Sequence, residues 1–485
     1  MTGFLTFLVR RWRRSQAPGA PDSTKRYGQA PGAPNPAARG VRFPDDGFLW
    51  GAATSAFQIE GALDVDGRGA SIWDTFSGES GETGDVACDH YRRWREDVDL
   101  LAELGVNAYR FSIAWPRLFP AGGGELERRG LDHYDRLIEA LLERGIQPVV
   151  TLFHWDLPQA LQQSGGWRSR DTVERFAEYA RTCFDAYGDR VRCWVTQNEP
   201  WVHGILGHYV GMHAPGQKDL RGAITAIHHI LLSHGRAVQE LRASGRDGEA
   251  GIAFSLFPTY PATEDDADRE AAQICDGYHN RWFLDAVLEG RYPDDMTRLF
   301  EERIGTLDFV EDGDLETIAA DNGFVGVNYY SRGAVRAAPG KEPLPYEVVS
   351  ARELDVPLTD GGYEIAPWAL TDLLVRLRDD YGDVPILITE NGAIYDDAPH
   401  DPGRVAFVRD HLGAVHEAIE QGVQVRGYFH WSLLDNFEWA LGYAPRFGLV
   451  HVDYETQART IKDSGRYYAR IARANALVDP GGAVR

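Results

Sequence analysis

Cysteine is scarce in this sequence. Only four of the 485 residues are cysteines, namely Cys88, Cys183, Cys193 and Cys275, and no two form a Cys-x-x-Cys pair. This spacing gives no zinc-ribbon or thioredoxin-type motif, and a chain of this length does not need a disulfide framework to fold. We therefore expect reduced, mostly buried thiols in a cytoplasmic protein.

Long apolar runs are also missing. No segment contains 18 consecutive apolar residues, so the sequence predicts no membrane-spanning helix. Near the start, the apolar run from Phe4 to Val9 precedes the basic run from Arg10 to Arg14. A secretory signal has the opposite order, so we expect no export by that route.

Positive charge is in deficit over most of the chain. The whole sequence carries −23, whereas residues 1–40 hold seven Lys or Arg and one acid and so carry +6, leaving −29 for the rest. Such an acidic body repels phosphate polymers, which argues against nucleic acid as a partner.

Composition divides the chain into a tail and a body. Residues 16–40 are rich in Ala, Pro, Gly and Gln and contain Gln-Ala-Pro-Gly-Ala-Pro twice. Such a segment cannot bury enough apolar surface to fold. We predict a disordered basic tail at 1–40, one compact domain at 41–475 and a short C-terminal tail at 476–485.

Short β-rich runs alternate with amphipathic helical patterns in the body. Apolar residues recur at helical spacing in Tyr91–Leu104, Leu131–Glu143 and Val173–Tyr187. Eight runs have the composition of strands: Phe48–Ala53, Ala108–Ile113, Pro148–Phe153, Val191–Thr196, Gly251–Ser255, Phe324–Asn328, Pro385–Thr389 and Val425–Trp431. This alternation predicts an α/β protein with a single closed (β/α)8 barrel, the TIM barrel. Because such a barrel needs about 250 residues, we expect long βα loops at 200–222, 256–280, 300–320 and 332–384.

Two glutamates directly follow predicted strands. Glu199 lies in Thr-Gln-Asn-Glu-Pro and Glu390 in Ile-Thr-Glu-Asn-Gly. The C-terminal ends of barrel strands form the face that carries the active site. Two carboxyl groups can split a glycosidic bond, because one protonates the leaving oxygen and the other stabilises or attacks the anomeric carbon. Capping or ion pairing is the alternative, and it explains two such glutamates less well than one.

Other strand ends carry side chains suited to a sugar. Amides, imidazoles and carboxyls match hydroxyl groups, and aromatic rings match the apolar faces of pyranoses. The set comprises Gln58, Arg110, His154, Trp155, Asn198, Asn328, Tyr329, Tyr330 and the segment Trp431–Trp439. Each residue alone is also explained as a satisfied buried polar or core residue.

Several of these segments resemble the signature segments of family 1 glycoside hydrolases, the β-glucosidase family. They are Phe48–Gly61, Tyr109–Arg117, Asn198–Pro200, Ile388–Gly392 and His430–Trp439. The similarity extends from about Phe43 to about Ala469 in the order of the family. It implies a retaining mechanism with Glu390 as the nucleophile and Glu199 as the general acid/base.

The resemblance also implies roles for the surrounding residues. Arg110, Tyr330 and Asn328 would support the nucleophile, and Tyr363 would lie on the aglycone side. The implied sugar-binding residues are Gln58, His154, Trp155, Asn198, Trp431, Glu438, Trp439 and Phe447.

Three positions depart from the pattern of the family. Gln197 stands where Phe is usual, Ser255 where many relatives have Asn, and Tyr363 where Trp usually flanks the leaving group. The last two leave the aglycone preference open.

The predicted function is a retaining exo-β-glycosidase acting on terminal β-D-glucosyl units of small β-glycosides, with a role in cellulose degradation. Activity on β-galactosides and β-fucosides is left open, as are transglycosylation, a glycolipid substrate and a homo-oligomer. A 6-phospho-β-glycosidase is disfavoured, because such relatives have Ser at the position of Glu438 followed by Lys and Tyr, whereas Ala440-Leu441-Gly442 offers no cation. A non-catalytic relative usually lacks one of the two glutamates.

We expect no metal and no cofactor. His228, His229 and His234 share one predicted helix but have no neighbouring cysteine, so packing and capping explain them better. Asp64, Asp66 and Asp74 lack the glycine-centred spacing of a calcium loop.

Overall fold

The computed structural model describes residues 41–76, 78, 80–396 and 398–480. The predicted basic tail at 1–40 and residues 481–485 therefore lie outside the described residues. The strands in the described part are β1 (Leu49–Ala53), β2 (Ala108–Ser112), β3 (Gln147–Phe153), β4 (Cys193–Asn198), β5 (Glu249–Ser255), β6 (Thr259–Pro261), β7 (Phe324–Tyr329), β8 (Gly333–Ala337), β9 (Tyr346–Val349), β10 (Ile386–Asn391), β11 (Val425–Trp431), β12 (Val450–Val452) and β13 (Arg459–Ile461).

Eight of these strands form a closed parallel barrel in the order β1-β11-β10-β7-β5-β4-β3-β2. The first and last strands pair directly, so Gly51 lies opposite Ala108 and Ala53 opposite Arg110. Closure leaves no edge strand unpaired. The predicted TIM barrel is confirmed, and each of the eight predicted strands coincides with a barrel strand to within two residues at either end.

Helices cover the outside of the barrel. They are α1 (Ala56–Ile59), α2 (His90–Leu104), α3 (Trp115–Leu118), α4 (Arg128–Glu143), α5 (Gln159–Gln163), α6 (Asp171–Tyr187), α7 (Leu220–Ala243), α8 (Asp266–Asp276), α9 (Trp282–Glu289), α10 (Asp294–Ile304), α11 (Asp314–Ile318), α12 (Pro367–Tyr381), α13 (Pro402–Glu420) and α14 (Asp463–Ala474). Helix α6 is amphipathic, and the side chains of its barrel-facing side recur at helical spacing and are buried. They are Val173, Phe176, Ala177, Ala180 and Phe184.

The long βα connections contain more regular structure than the sequence predicted. Residues 202–210 and 277–281 form π-helical turns, and 166–168 and 439–441 form 3-10 turns. Strands β6, β8 and β9 pair into a small separate sheet. Apart from 202–210, which has nine residues, these elements were missed because stretches of three to five residues are too short to show a hydrophobic period.

The end of the body lies slightly beyond the predicted boundary. Leu477 is buried, and its backbone N–H donates to the carbonyl of Val41 at 2.9 Å. The start and end of the domain are thus joined, although 476–485 were assigned to a tail.

All four cysteines are free and buried. Across the described residues, no helix combines the length and the apolar character needed to cross a membrane.

A tight contact between α7 and α11 gives a stability prediction. A Cβ added at Gly235 of α7 would lie 1.9 Å from the backbone oxygen of Thr317. Because backbone cannot move aside easily, Gly235→Ala should lower the free energy of unfolding by about 1–3 kcal/mol, despite the higher helix propensity of Ala.

The matched control is Gly222→Ala on the same helix. The nearest atoms to a Cβ there belong to the half-exposed side chains of Asp219 and Arg168, which can rotate away more easily than backbone. Unfolding midpoints in guanidinium chloride compare the two variants. Equal stability of Gly235→Ala and Gly222→Ala would contradict the proposed contact.

Candidate active site

A cavity of about 210 Å³ opens at the C-terminal ends of the barrel strands, and three glutamates face it: Glu199, Glu390 and Glu438. Of the other predicted site residues, seven also line it, namely His154, Trp155, Tyr330, Tyr363, Trp431, Trp439 and Phe447. The remaining four, Gln58, Arg110, Asn198 and Asn328, are buried and hydrogen-bond to the glutamates or to one another. The structure therefore brings all the predicted site residues together.

Glu390 lies within β10 and receives two strong donors. The Arg110 guanidinium donates to Oε1 at 2.6 Å, and the Tyr330 hydroxyl donates to Oε2 at 2.7 Å. Arg110 is fully buried. Both carboxyl oxygens are held, and the arrangement favours the ionised form of Glu390.

Glu199 has weaker donors. The Asn328 side-chain amide donates to its Oε1 at 3.0 Å, and the Ser255 hydroxyl also hydrogen-bonds to its carboxyl group. Ser255, where many relatives have Asn, thus contacts the acid/base candidate directly. Neither donor is charged, so Glu199 has no cation of its own.

Burial acts on both catalytic carboxyls in the same direction. Burial and the neighbouring Glu390 raise the pKa of Glu199 to about 8. Burial also raises the pKa of Glu390 above its ordinary value, but Arg110 and Tyr330 oppose this increase. At neutral pH the pair therefore holds one proton more readily on Glu199 than on Glu390.

Local backbone irregularities set the direction of these two side chains. The pairing register of β4 with β5 shifts between Val195 and Asn198, and that of β10 with β7 shifts between Ile388 and Glu390. Glu199 itself has φ 51°, a left-handed conformation uncommon outside glycine. Such irregularities re-aim side chains at the ends of barrel strands.

The closed end of the cavity is built for a hydroxylated ring. Gln58 donates to Glu438 at 3.2 Å and is itself held by the Ser55 hydroxyl. Burial and the neighbouring Glu390 and Glu199 raise the pKa of Glu438 to about 8, so at pH 7 its carboxyl can donate as well as accept. Trp431 forms an apolar face and stacks on His154, with ring centroids 5.8 Å apart.

His154 is a neutral donor or acceptor at this end. Burial and Arg110 lower its pKa well below the ordinary value. Its Nε2 lies 3.1 Å from the Asn198 amide, and its buried Nδ1 has no hydrogen-bond partner among the described residues. Asn198 in turn accepts from Arg110 at 2.6 Å, which connects His154 to Glu390 through the guanidinium.

The outer wall of the cavity was largely missed from the sequence. It is formed by Trp201, Val202, Leu206, His213, Leu256, Phe257, His279, Ser331, Val348 and Leu441. Trp201 and Val202 directly follow the Glu199 motif, which was a usable signal. Leu256 and Phe257 directly follow β5, Ser331 follows Tyr330, and Leu441 lies two residues after Trp439, so the same signal was available for them. The remaining residues of the wall lie in long connections whose positions relative to the barrel could not be read from periodicity.

The histidines of α7 have separate structural partners. His228 contacts Tyr292 and Asp314, His229 contacts the Trp167 carbonyl, and His234 contacts Thr196. No group of three His, Cys, Asp or Glu is placed to hold a metal ion within the described ranges.

Known proteins resemble this chain over most of its length. The β-glucosidase A of Acetivibrio thermocellus is 47% identical over 446 residues, covering 90% of this chain and 99% of the relative. A bifunctional β-D-glucosidase/β-D-fucosidase of Bifidobacterium breve is 44% identical over 459 residues, covering 88% and 97%. The solved structure of a family 1 β-glucosidase from Thermotoga maritima has a TM-score of 0.86 and 44% identity, covering 91% of this chain and 100% of that one.

The sequence model for glycosyl hydrolase family 1 matches residues 40–477, which is the whole barrel domain. The match agrees with the two buried glutamates and their supporting network. On this evidence the chain belongs to glycosyl hydrolase family 1.

Proposed function

We propose that the protein is a retaining, exo-acting β-glucosidase that hydrolyses terminal non-reducing β-D-glucosyl residues. One observation carries the proposal: two glutamates share a cavity in contrasting environments. Glu390 has a guanidinium and a phenol as donors, whereas Glu199 has only an amide and a hydroxyl. Relatives named β-glucosidase A support the choice of sugar.

In the first step the Glu390 carboxylate attacks the anomeric carbon. The bond from that carbon to the glycosidic oxygen breaks, and Glu199 gives its proton to the departing oxygen. The result is a glycosyl ester on Glu390 and a free aglycone. For this geometry we expect a carboxyl separation of about 5–5.5 Å.

In the second step Glu199, now ionised, takes a proton from water. The water oxygen attacks the anomeric carbon, and the ester bond to Glu390 breaks. Glucose leaves with the β-configuration retained, and both carboxyls return to their initial protonation states.

The closed end of the cavity supports exo action on a neutral sugar. Trp431 and Glu438 line the cavity, and Gln58 donates to Glu438 at 3.2 Å, which supports hydrogen bonding to a terminal glucosyl unit. Among the described residues, no Lys or Arg lines the cavity, and Arg110 is already paired with Glu390. A phosphate at C6 would therefore be buried beside three carboxyls without a cation.

The proposed location is the cytoplasm. The four unpaired, buried cysteines support it, because a reducing compartment keeps thiols free.

Replacing the nucleophile tests the first step. Glu390→Gly should abolish turnover, and added azide or formate should restore cleavage of activated β-glucosides with an α-configured product. The small anion takes the place of the carboxylate and attacks from the same side. NMR of the azide product gives its configuration; a β-configured glycosyl azide would place the nucleophile elsewhere.

The pH profile tests the acid/base assignment. The kcat/KM of the wild type should fall as pH drops through the pKa of Glu390, and fall again as pH rises through about 8, where Glu199 loses its proton. In Glu199→Gln the alkaline limb should vanish for substrates with good leaving groups. The acid limb should stay, because Gln mimics protonated Glu199.

The matched control is Glu438→Gln, since Glu438 also has a pKa of about 8. This variant should keep the alkaline limb. If the limb vanishes in Glu438→Gln and persists in Glu199→Gln, the assignment is wrong.

Glu438 should also determine the preference of the enzyme for neutral β-glucosides over their 6-phosphates. The wild type should hydrolyse β-glucosides far better than their 6-phosphates. Glu438→Ser should narrow this gap by weakening the neutral substrate, because Ser is too short to replace the buried hydrogen bonds of the Glu438 carboxyl. A buried polar group left without its partner costs about 1–3 kcal/mol, or roughly five- to a hundredfold in kcat/KM. A wild type that hydrolyses p-nitrophenyl 6-phospho-β-glucoside better than p-nitrophenyl β-glucoside would contradict the proposal of a neutral substrate.

A further inference from the structure

An aromatic surface lies at the rim of the catalytic face, and we call its three residues, Tyr260, Arg332 and Trp368, the rim platform. Trp368 is 46% exposed, which makes it the most exposed Trp, Tyr or Phe of the described residues. A single exposed aromatic residue is common on protein surfaces and needs no explanation by itself. The ordered surroundings of Trp368 distinguish it.

The rim platform is held rigid by neighbouring groups. The Arg332 guanidinium carbon lies 5.3 Å from the Trp368 ring centroid and 5.6 Å from that of Tyr260. The two rings are 5.0 Å apart at 56°. Arg332 is also paired with the buried Glu364 carboxyl at 3.0 Å, and the Tyr260 hydroxyl donates to Asp372 at 3.0 Å. A platform ordered before binding loses little entropy when a ligand arrives.

The chain connects the rim platform directly to the catalytic cavity. Ser331 lines the cavity and is followed by Arg332, while Tyr363 lines it and is followed by Glu364. The Ser331 hydroxyl donates to the Glu364 carbonyl at 3.2 Å, which ties these two wall segments together.

The position of helix α12 places Trp368 at the same face of the barrel as the catalytic cavity. Helix α12 packs antiparallel to the barrel strands, so its first turn, which carries Trp368, lies at their C-terminal ends. The Tyr329 hydroxyl at the end of β7 donates to the Ala366 carbonyl at 2.7 Å and fixes this turn. Strand β6 pairs with β8, which sets Tyr260 opposite Ala334 and close to Arg332.

We propose that the rim platform binds the distal sugars of a β-linked gluco-oligosaccharide whose non-reducing glucosyl unit occupies the catalytic cavity. This inference rests on the proposed β-glucosidase function. The exposed indole offers a flat apolar surface to the C–H face of a pyranose, and Asp372 and Arg332 offer an acceptor and donors to its hydroxyls. A short aryl aglycone ends before it reaches the rim.

The test is a chain-length series with Trp368→Ala. We would measure kcat and KM for p-nitrophenyl β-glucoside, cellobiose, cellotriose, cellotetraose and cellopentaose. In the wild type KM should fall with length. In the variant KM for the longer oligosaccharides should rise by roughly five- to tenfold, while p-nitrophenyl β-glucoside and cellobiose should be little affected.

Two further variants separate binding from structure. Trp368→Phe keeps an aromatic face and should restore most of the length dependence. Leu142→Ala removes another exposed apolar side chain, which is 37% exposed near the end of α4. This variant should leave kcat and KM unchanged for every substrate of the series. An equal loss for every substrate in Trp368→Ala would mean that Trp368 only supports the fold.

The outcomes also separate this inference from the function on which it rests. A wild type that cleaves p-nitrophenyl β-glucoside and cellobiose but shows no effect of length or of Trp368 refutes the rim platform alone. A wild type that cleaves none of these β-glucosides refutes the β-glucosidase proposal and with it the platform.

Discussion

The buried guanidinium of Arg110 holds the catalytic face together. From β2 it donates to Thr151 on β3, to Asn198 on β4 and to the carboxyl of Glu390 on β10. It also donates to the carbonyl of Thr389 at 3.0 Å. An Arg side chain with no exposed surface needs such partners, because an unpaired buried charge costs several kcal/mol. The barrel supplies them from three strands, β3, β4 and β10, and in return the side chain fixes the positions of those strand ends relative to β2.

The electrostatics of the cavity follow from this one cation. Three carboxyls, Glu199, Glu390 and Glu438, share a buried space, and the cation is in contact with only one of them. The other two have pKa values raised to about 8. At neutral pH the cation therefore favours the carboxylate form of Glu390, whereas burial favours the protonated forms of Glu199 and Glu438. The proposed mechanism needs this contrast, because it asks for a nucleophile and a proton donor in the same cavity.

Agreement between sequence and structure is closest where the signals were periodic or the motifs specific. The strand Val425–Trp431 and the helix ends at Leu104, Glu143 and Tyr187 were predicted at their observed positions. The barrel and the family followed from such patterns. The connections were predicted as loops, yet they contain the β6–β8–β9 sheet, two π-helical turns and the helices α8, α11 and α12. The strands of that sheet have only three to five residues, and such short elements, stabilised by tertiary contacts, carry little local signal.

The sequence by itself determined the eight-stranded alternation, the position of both glutamates at strand ends and the family to which they belong. These properties reside in local composition and in the order of motifs. Only the tertiary structure decided that Ser255 contacts Glu199, that Glu438 is buried beside two other carboxyl groups and that Tyr260, Arg332 and Trp368 meet at the rim. Such contacts join residues far apart in the chain, and a pKa depends on what surrounds a group in space rather than on its neighbours in sequence.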